Sequence, residues 1–175
     1  MSGSVTADAG YTGSDHLFRE TDPYARAKYD LALRWLDRAL LPGRLVYNVG
    51  CGGGYFSALA AARGCTVVAC EPDPQAYALA AKSAPAGVTV LACGLDAFAA
   101  NRPPADVVVM HDVLEHIEDD GAAVEQLARL VRPGGALAIS VPSMPALFGL
   151  HDELLGHYRR YRQAELRRLI GRRFR

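Results

Sequence analysis

Long apolar runs are scarce in this sequence. Its hydrophobic stretches are short and broken by Gly, Pro or Arg, whereas a bilayer-crossing helix needs about 20 consecutive apolar residues, so no membrane association is expected. The first thirty residues carry Asp8, Asp15, Arg19, Glu20 and Asp22 where a secretory signal would need an apolar core, and no export is expected. Cysteine is equally sparse. The four, at positions 51, 65, 70 and 93, have no C-x-x-C spacing and no regular interval, which argues against a zinc cluster or a disulfide framework and for reduced thiols in a cytoplasmic protein. No internal repeat, low-complexity segment or domain boundary is evident.

Net charge is also lacking, but the zero is a sum of unequal parts. Residues 159–175 hold eight Arg against one Glu, a local +7 offset by −7 over residues 1–158. A basic cluster of this kind is usually a solvated helix face, and a nucleic-acid partner is not expected from it.

What is present is an ordinary globular composition, 50% apolar and 22% charged over 175 residues, the size of one domain with a single core. Residues 1–14, rich in Gly, Ser, Thr and Ala, read as a mobile arm, taken to extend to residue 22, and the domain as 23–175. From Pro23 to Leu40, apolar groups at Tyr29, Ala32, Leu33, Leu36 and Leu40 have helical spacing, stopped by Leu41-Pro42-Gly43. Five β-branched runs then alternate with Ala/Leu-rich helical stretches: 45–49, 66–70, 88–92, 106–110 and 136–141. Strands apolar on both faces belong to a sheet covered on both sides, which predicts a doubly wound, mostly parallel α/β fold whose ligands bind at the carboxyl ends of the strands.

The first strand runs into Gly50-Cys51-Gly52-Gly53-Gly54, a turn in which backbone can approach a ligand without a Cβ between them. A dinucleotide fingerprint would require a small residue at position 55, where this chain has Tyr55, so the loop suits a ligand without pyrophosphate better than it suits NAD. Strand two ends in Glu71, about 20 residues past the loop, where a carboxylate accepts from both ribose hydroxyls.

The blocks Asn48-Val49-Gly50-Cys51-Gly52-Gly53-Gly54, Glu71, Ala105 to Ile117 (with Asp112-Val113-Leu114-Glu115-His116-Ile117) and Leu130 to Gly135, in that order, resemble the class I S-adenosylmethionine-dependent methyltransferases. The likeness is greatest to the subgroup containing the ubiquinone and menaquinone biosynthesis methyltransferases. The resemblance implies a Rossmann-like methyltransferase fold, S-adenosylmethionine as cofactor with S-adenosylhomocysteine as product, and methyl transfer to a small-molecule acceptor. It implies Asn48, Gly50, Gly52 and Gly54 at the methionine portion, Glu71 at the ribose, Leu95 and Asp96 (or Gly94) near adenine, and His111 and Asp112 on the sulfonium side.

Two departures from the family stand out. Position 48 is usually Asp or Glu, and Asn48 lacks the charge that would pair with the cofactor's ammonium group. Family members also continue with two further strands after the helix read here at 162–170, so the last two strands are expected to be missing. These departures motivate one competing reading, a cofactor-binding protein without turnover; an NAD-dependent oxidoreductase is another.

The segment 142–161, with His151-Asp152-Glu153 and Gly156-His157-Tyr158-Arg159-Arg160-Tyr161, resembles family segments that border the acceptor pocket and reads as a substrate lid contributing His151, Tyr158 and Tyr161. Tyr158 and Tyr161 as half-buried anchors is the alternative. His151, Asp152, Glu153 and His157 match no standard metal spacing, and no metal is expected. Methyl transfer to a hydroxyl needs a base within about 3 Å or through one water; His116 or His157 could serve, and His116 could equally hydrogen-bond a loop.

Overall fold

The computed structural model describes residues 23–174; the expected N-terminal arm lies outside them. Five strands, β1 (Leu45–Val49), β2 (Thr66–Cys70), β3 (Val88–Leu91), β4 (Ala105–His111) and β5 (Val131–Ser140), form one all-parallel sheet in the order β3-β2-β1-β4-β5. The order reverses between β1 and β4, which makes the cleft beyond their carboxyl ends the natural ligand position.

The helices are α1 (Pro23–Trp35), α2 (Tyr55–Ala61), α3 (Pro74–Ser83), α4 (Leu95–Ala99), α5 (Asp120–Leu130), α6 (Leu150–Leu154) and α7 (Gln163–Gly171). Side chains alternate across each strand, and the core divides accordingly. Val46, Val67, Val107 and Val109 pack with Tyr29 and Leu33 of α1, Leu36 just past its end, and Phe56 and Ala60 of α2. On the opposite face, Tyr47, Val49, Val108 and Met110 meet Phe98 of α4 and Leu127 and Leu130 of α5, with Leu169 of α7 at the margin. Both faces are covered, as the continuous apolar strands predict.

Local signals set the helix starts. Asp73 caps α3 by accepting from the Ala76 N–H at 2.7 Å, ahead of Pro74 at the first helical position. Asp119 caps α5 through the Ala122 N–H at 2.8 Å.

Two boundaries differ from expectation by more than one residue. The first helix ends at Trp35 and not at Leu40, because the chain tightens into three-residue bonds, Asp37 N–H to Arg34 C=O and Ala39 N–H to Leu36 C=O. The apolar face nonetheless stays buried through Leu36 and Leu40. Strand five begins at Val131, not Ala136, and a register irregularity opposite Ala105–Val107 absorbs residues 132–135. Asp106 explains why those residues fold back. Its carboxylate accepts from the Leu45 N–H at 2.9 Å, Arg44 at 2.7 Å and Arg132 at 2.7 Å, clasping the starts of β1, β4 and β5, and these donors hold its pKa down at about 2.

Candidate functional site at the carboxyl ends of β1, β2 and β4

The glycine loop has the backbone that its composition calls for. Gly50, Gly52 and Gly54 have φ of 67°, 54° and 87°, a left-handed region that costs other residues roughly 1 kcal/mol. A Cβ built on Gly50 would stand 2.3 Å from Cγ2 of Val113. The loop therefore lies directly against the segment after β4, and the two halves of the cleft touch.

Glu71 is 7% exposed. Its Oε2 accepts the Gly52 N–H at 2.7 Å and its Oε1 the Asp73 N–H at 3.0 Å. One carboxylate thus joins the end of β2 to the crown of the glycine loop. A carboxylate offers about four acceptor positions. Asn48, 2% exposed, gives its Nδ2 to Ser57 Oγ of α2 at 2.9 Å, which fixes the helix that follows the loop. Cys51 and Cys70 flank this region as free thiols, their pKa raised by burial, that of Cys70 up to about 12, and neither is a nucleophile at neutral pH.

At the end of β4 the chain turns sharply. Asp112 has φ of 54°, and its carboxylate pairs with Lys28 of α1 and accepts from Ser140 Oγ at 2.8 Å. Because that hydroxyl gives its hydrogen to Asp112, it can only accept from His111 Nδ1 at 3.2 Å. His111 therefore carries its proton on Nδ1. Its Nε2 is a buried acceptor without a hydrogen-bond partner among the described residues, and its ring packs edge-on against Tyr29 and Phe56.

Burial, then the nearby Lys28 charge, push the His111 pKa down to about 4. The folded value lies below the unfolded one of about 6.5, so the stabilisation is complete above pH 6.5 and is lost as pH falls towards 4. Between pH 7.5 and 4.5 this single group should remove about 2–3 kcal/mol. Urea titrations of wild type and His111→Gln at both pH values check this: the variant should lose less stability than wild type by that amount, and equal losses would refute the assignment.

The segment 142–161, expected to form a substrate lid, places its residues unequally. Tyr161 is 5% exposed, with its hydroxyl 3.1 Å from Asp120 Oδ2 and 3.3 Å from the Leu114 carbonyl. Tyr158 is exposed, with the Arg159 guanidinium 5.7 Å from its ring centre, and His151 is exposed on α6. His116 and His157, 41 residues apart in sequence, stack edge-to-face with ring centres 4.6 Å apart. Near adenine's expected place, Leu95 sits in the core and Asp96 Oδ1 accepts from Gln126 of α5 at 2.6 Å.

Sequence reasoning missed Lys28, Ser140 and Glu115. Glu115 is 1% exposed and brings a carboxylate oxygen within 4.8 Å of ring nitrogens of both His116 and His157. That spacing would also admit a shared cation; of the donors weighed from sequence, His151, Asp152, Glu153 and His157, only His157 belongs to this cluster. No helix among the described residues is long and apolar enough to cross a membrane.

Comparison with known proteins places this geometry. Residues 47–139 match the family model described as "Methyltransferase domain". The ubiquinone biosynthesis O-methyltransferase of Burkholderia thailandensis is 38% identical over 132 residues, 70% of this chain and 57% of that protein; an uncharacterized methyltransferase of Mycobacterium sp. (strain JLS) is 34% identical over 116 residues, 66% and 46% of the two chains. The chain thus spans about half the length of these relatives. Among solved structures, magnesium protoporphyrin IX methyltransferase from Synechocystis PCC 6803 with bound SAH superposes with a TM-score of 0.68 at 24% identity, covering 84% of this chain and 71% of that one. The N-methyltransferase NodS from Bradyrhizobium japonicum WM9, in complex with S-adenosyl-L-homocysteine, gives 0.70 at 19%, covering 86% and 74%. These two likenesses concern the fold.

Proposed function

We propose, from the premise that this chain belongs to the methyltransferase-domain family, that its cleft binds S-adenosylmethionine and that its activity is methyl transfer to a hydroxyl of a small molecule. The observation that carries the reading is the buried Glu71 carboxylate bonded at 2.7 Å to the Gly52 N–H, at the point where the strand order reverses. In this reading Glu71 accepts the two ribose hydroxyls, Gly50, Gly52 and Gly54 let the methionine portion lie on backbone, and Leu95 and Asp96 border the adenine. The neutral Asn48 amide offers an oxygen but no charge to the ammonium group. His111 and Asp112, stiffened by Lys28 and Ser140, wall the sulfonium side. The ring of Tyr55 packs on Tyr29 with centres 5.6 Å apart, occupying the position a dinucleotide loop keeps small, which weighs against NAD.

When bound, the cofactor supplies a methyl already activated by positive sulfur, so the protein's tasks are alignment, exclusion of water and removal of one proton. The proton of the acceptor hydroxyl would pass to an imidazole nitrogen of the His116–His157 pair. Oxygen is favoured as the methylated atom by this paired-histidine base and by the O-methyltransferase names of the relatives. His151 and Tyr158, exposed on the lid, are placed to meet the acceptor, and the domain that performs this is residues 23–175, in the cytoplasm.

Calorimetry with S-adenosylhomocysteine and with NAD, followed by a methyl-transfer assay with 3,4-dihydroxybenzoate and other catechol probes, tests the proposal. S-adenosylhomocysteine binding with methylated product is the expected outcome. Binding without product from any acceptor would favour the silent binder, and NAD binding would overturn the cofactor.

A further inference from the structure

A carboxylate taken out of water must be met by donors, and Asp152 is fully buried. Its Oδ2 accepts the Gly149 N–H at 3.1 Å, and its Oδ1 accepts from Arg160 Nε at 2.7 Å and faces His157 Nδ1 at 2.9 Å. The Arg160 hydrogen bond, with those of His157 and Gly149, holds its pKa well below the usual carboxylate range, so the group is ionised and can only accept. The proton between Asp152 and His157 therefore belongs to Nδ1 of the histidine. In the neutral ring this leaves Nε2, on the far side from Asp152, as the basic nitrogen.

The backbone locks this arrangement. The His157 N–H returns to the Asp152 carbonyl at 2.9 Å, the Tyr158 N–H reaches the Glu115 carbonyl at 2.8 Å and the Tyr161 N–H the Pro142 carbonyl at 2.9 Å, closing residues 149–161 over the segment that carries His116. Gly149 and Arg160 would suffice for a carboxylate that merely closed a loop. Placing His157 on the same oxygen as Arg160 couples the loop's anchor to the orientation of one imidazole.

We infer that Asp152 is a positioning residue: it fixes the ring orientation and the Nδ1–H tautomer of His157, so that Nε2 is the nitrogen offered to the acceptor hydroxyl. This rests on the proposed hydroxyl-methylating reading for its catalytic consequence, but not for the tautomer itself.

The test joins a spectroscopic and a kinetic measurement. Long-range 1H–15N correlation spectra of 15N-histidine protein, with His157→Gln to assign the resonance, report which ring nitrogen is protonated. Wild type above the imidazole pKa should show the Nδ1–H form, and Asp152→Asn, whose amide can donate to Nδ1, should shift His157 towards Nε2–H. With S-adenosylmethionine and 3,4-dihydroxybenzoate, the same variant should lose about tenfold or more in kcat while its S-adenosylhomocysteine Kd stays within about twofold.

An Nε2–H tautomer in wild type overturns the inference, a result that holds even if Asp152→Asn does not fold. A folded variant with an unmoved tautomer or an unchanged kcat overturns it as well. Wild-type protein that shows the Nδ1–H tautomer and binds S-adenosylhomocysteine but methylates nothing bears against the enzymatic reading alone.

Discussion

Replacing Glu71 with Ala should weaken S-adenosylhomocysteine binding roughly tenfold or more, the scale of losing a charge-assisted hydrogen bond. Two losses combine in that figure. The ribose hydroxyls lose their acceptor, and the Gly52 and Asp73 N–H groups lose a brace that spans 19 residues of sequence. Glu71→Gln separates them, since an amide oxygen can still accept from the loop while the charge is gone; it should retain more of the folded stability than Ala and still bind worse than wild type. Calorimetry gives the dissociation constants and thermal unfolding the stability. An unchanged dissociation constant for Glu71→Ala would remove the ribose assignment.

Gly50→Ala should be the most damaging single methyl in the cleft. It adds a side chain where φ is 67° and where Cβ would fall 2.3 Å from Val113 Cγ2. The backbone penalty of about 1 kcal/mol combines with overpacking of typically 1–3 kcal/mol, for an expected loss of about 3 kcal/mol in chemical denaturation. Relief of the clash requires the loop or the post-β4 segment to move, so S-adenosylhomocysteine binding should fall with stability. Gly43→Ala is a matched control: its φ is 80°, and a Cβ there meets nothing within 4 Å. It should show the conformational cost alone and leave binding intact.

The architecture was legible because its signals are local and repeated. Strand runs apolar on both faces require cover on both sides. The glycine loop and Glu71 were legible for a related reason: each stands at the end of a strand, and parallel register at β1–β2, Val49 opposite Cys70, carries the end of one strand to the end of the next. Identity of the family came from the four blocks together, and the matched span of 47–139 contains the loop, Glu71 and the run through His116.

What escaped the sequence is what depends on distant parts meeting. Lys28 and Asp112 are 84 residues apart, and no periodicity on α1 marks that lysine as different from its neighbours. Asp152 lay within a run read for metal ligands and lid contacts. Its capture of His157 and Arg160, five and eight positions on, follows no helical or strand spacing. Tyr161 left two readings open because an aromatic with a hydroxyl serves equally as anchor or as substrate contact, and its partners Asp120 and Leu114 lie more than forty residues away in sequence. The end of α1 and the start of β5 moved because tight three-residue bonds and the Asp106 clasp, neither of them visible as hydropathy, set those boundaries.

A crystal grown with S-adenosylhomocysteine tests the whole account most directly. The nucleoside should lie across the gap between β1 and β4, with both ribose hydroxyls within hydrogen-bonding distance of the residue 71 carboxylate and the amino-acid tail along residues 50–54. Density for the ligand anywhere else, or a ribose held by other groups while that carboxylate keeps only its backbone partners, would contradict it.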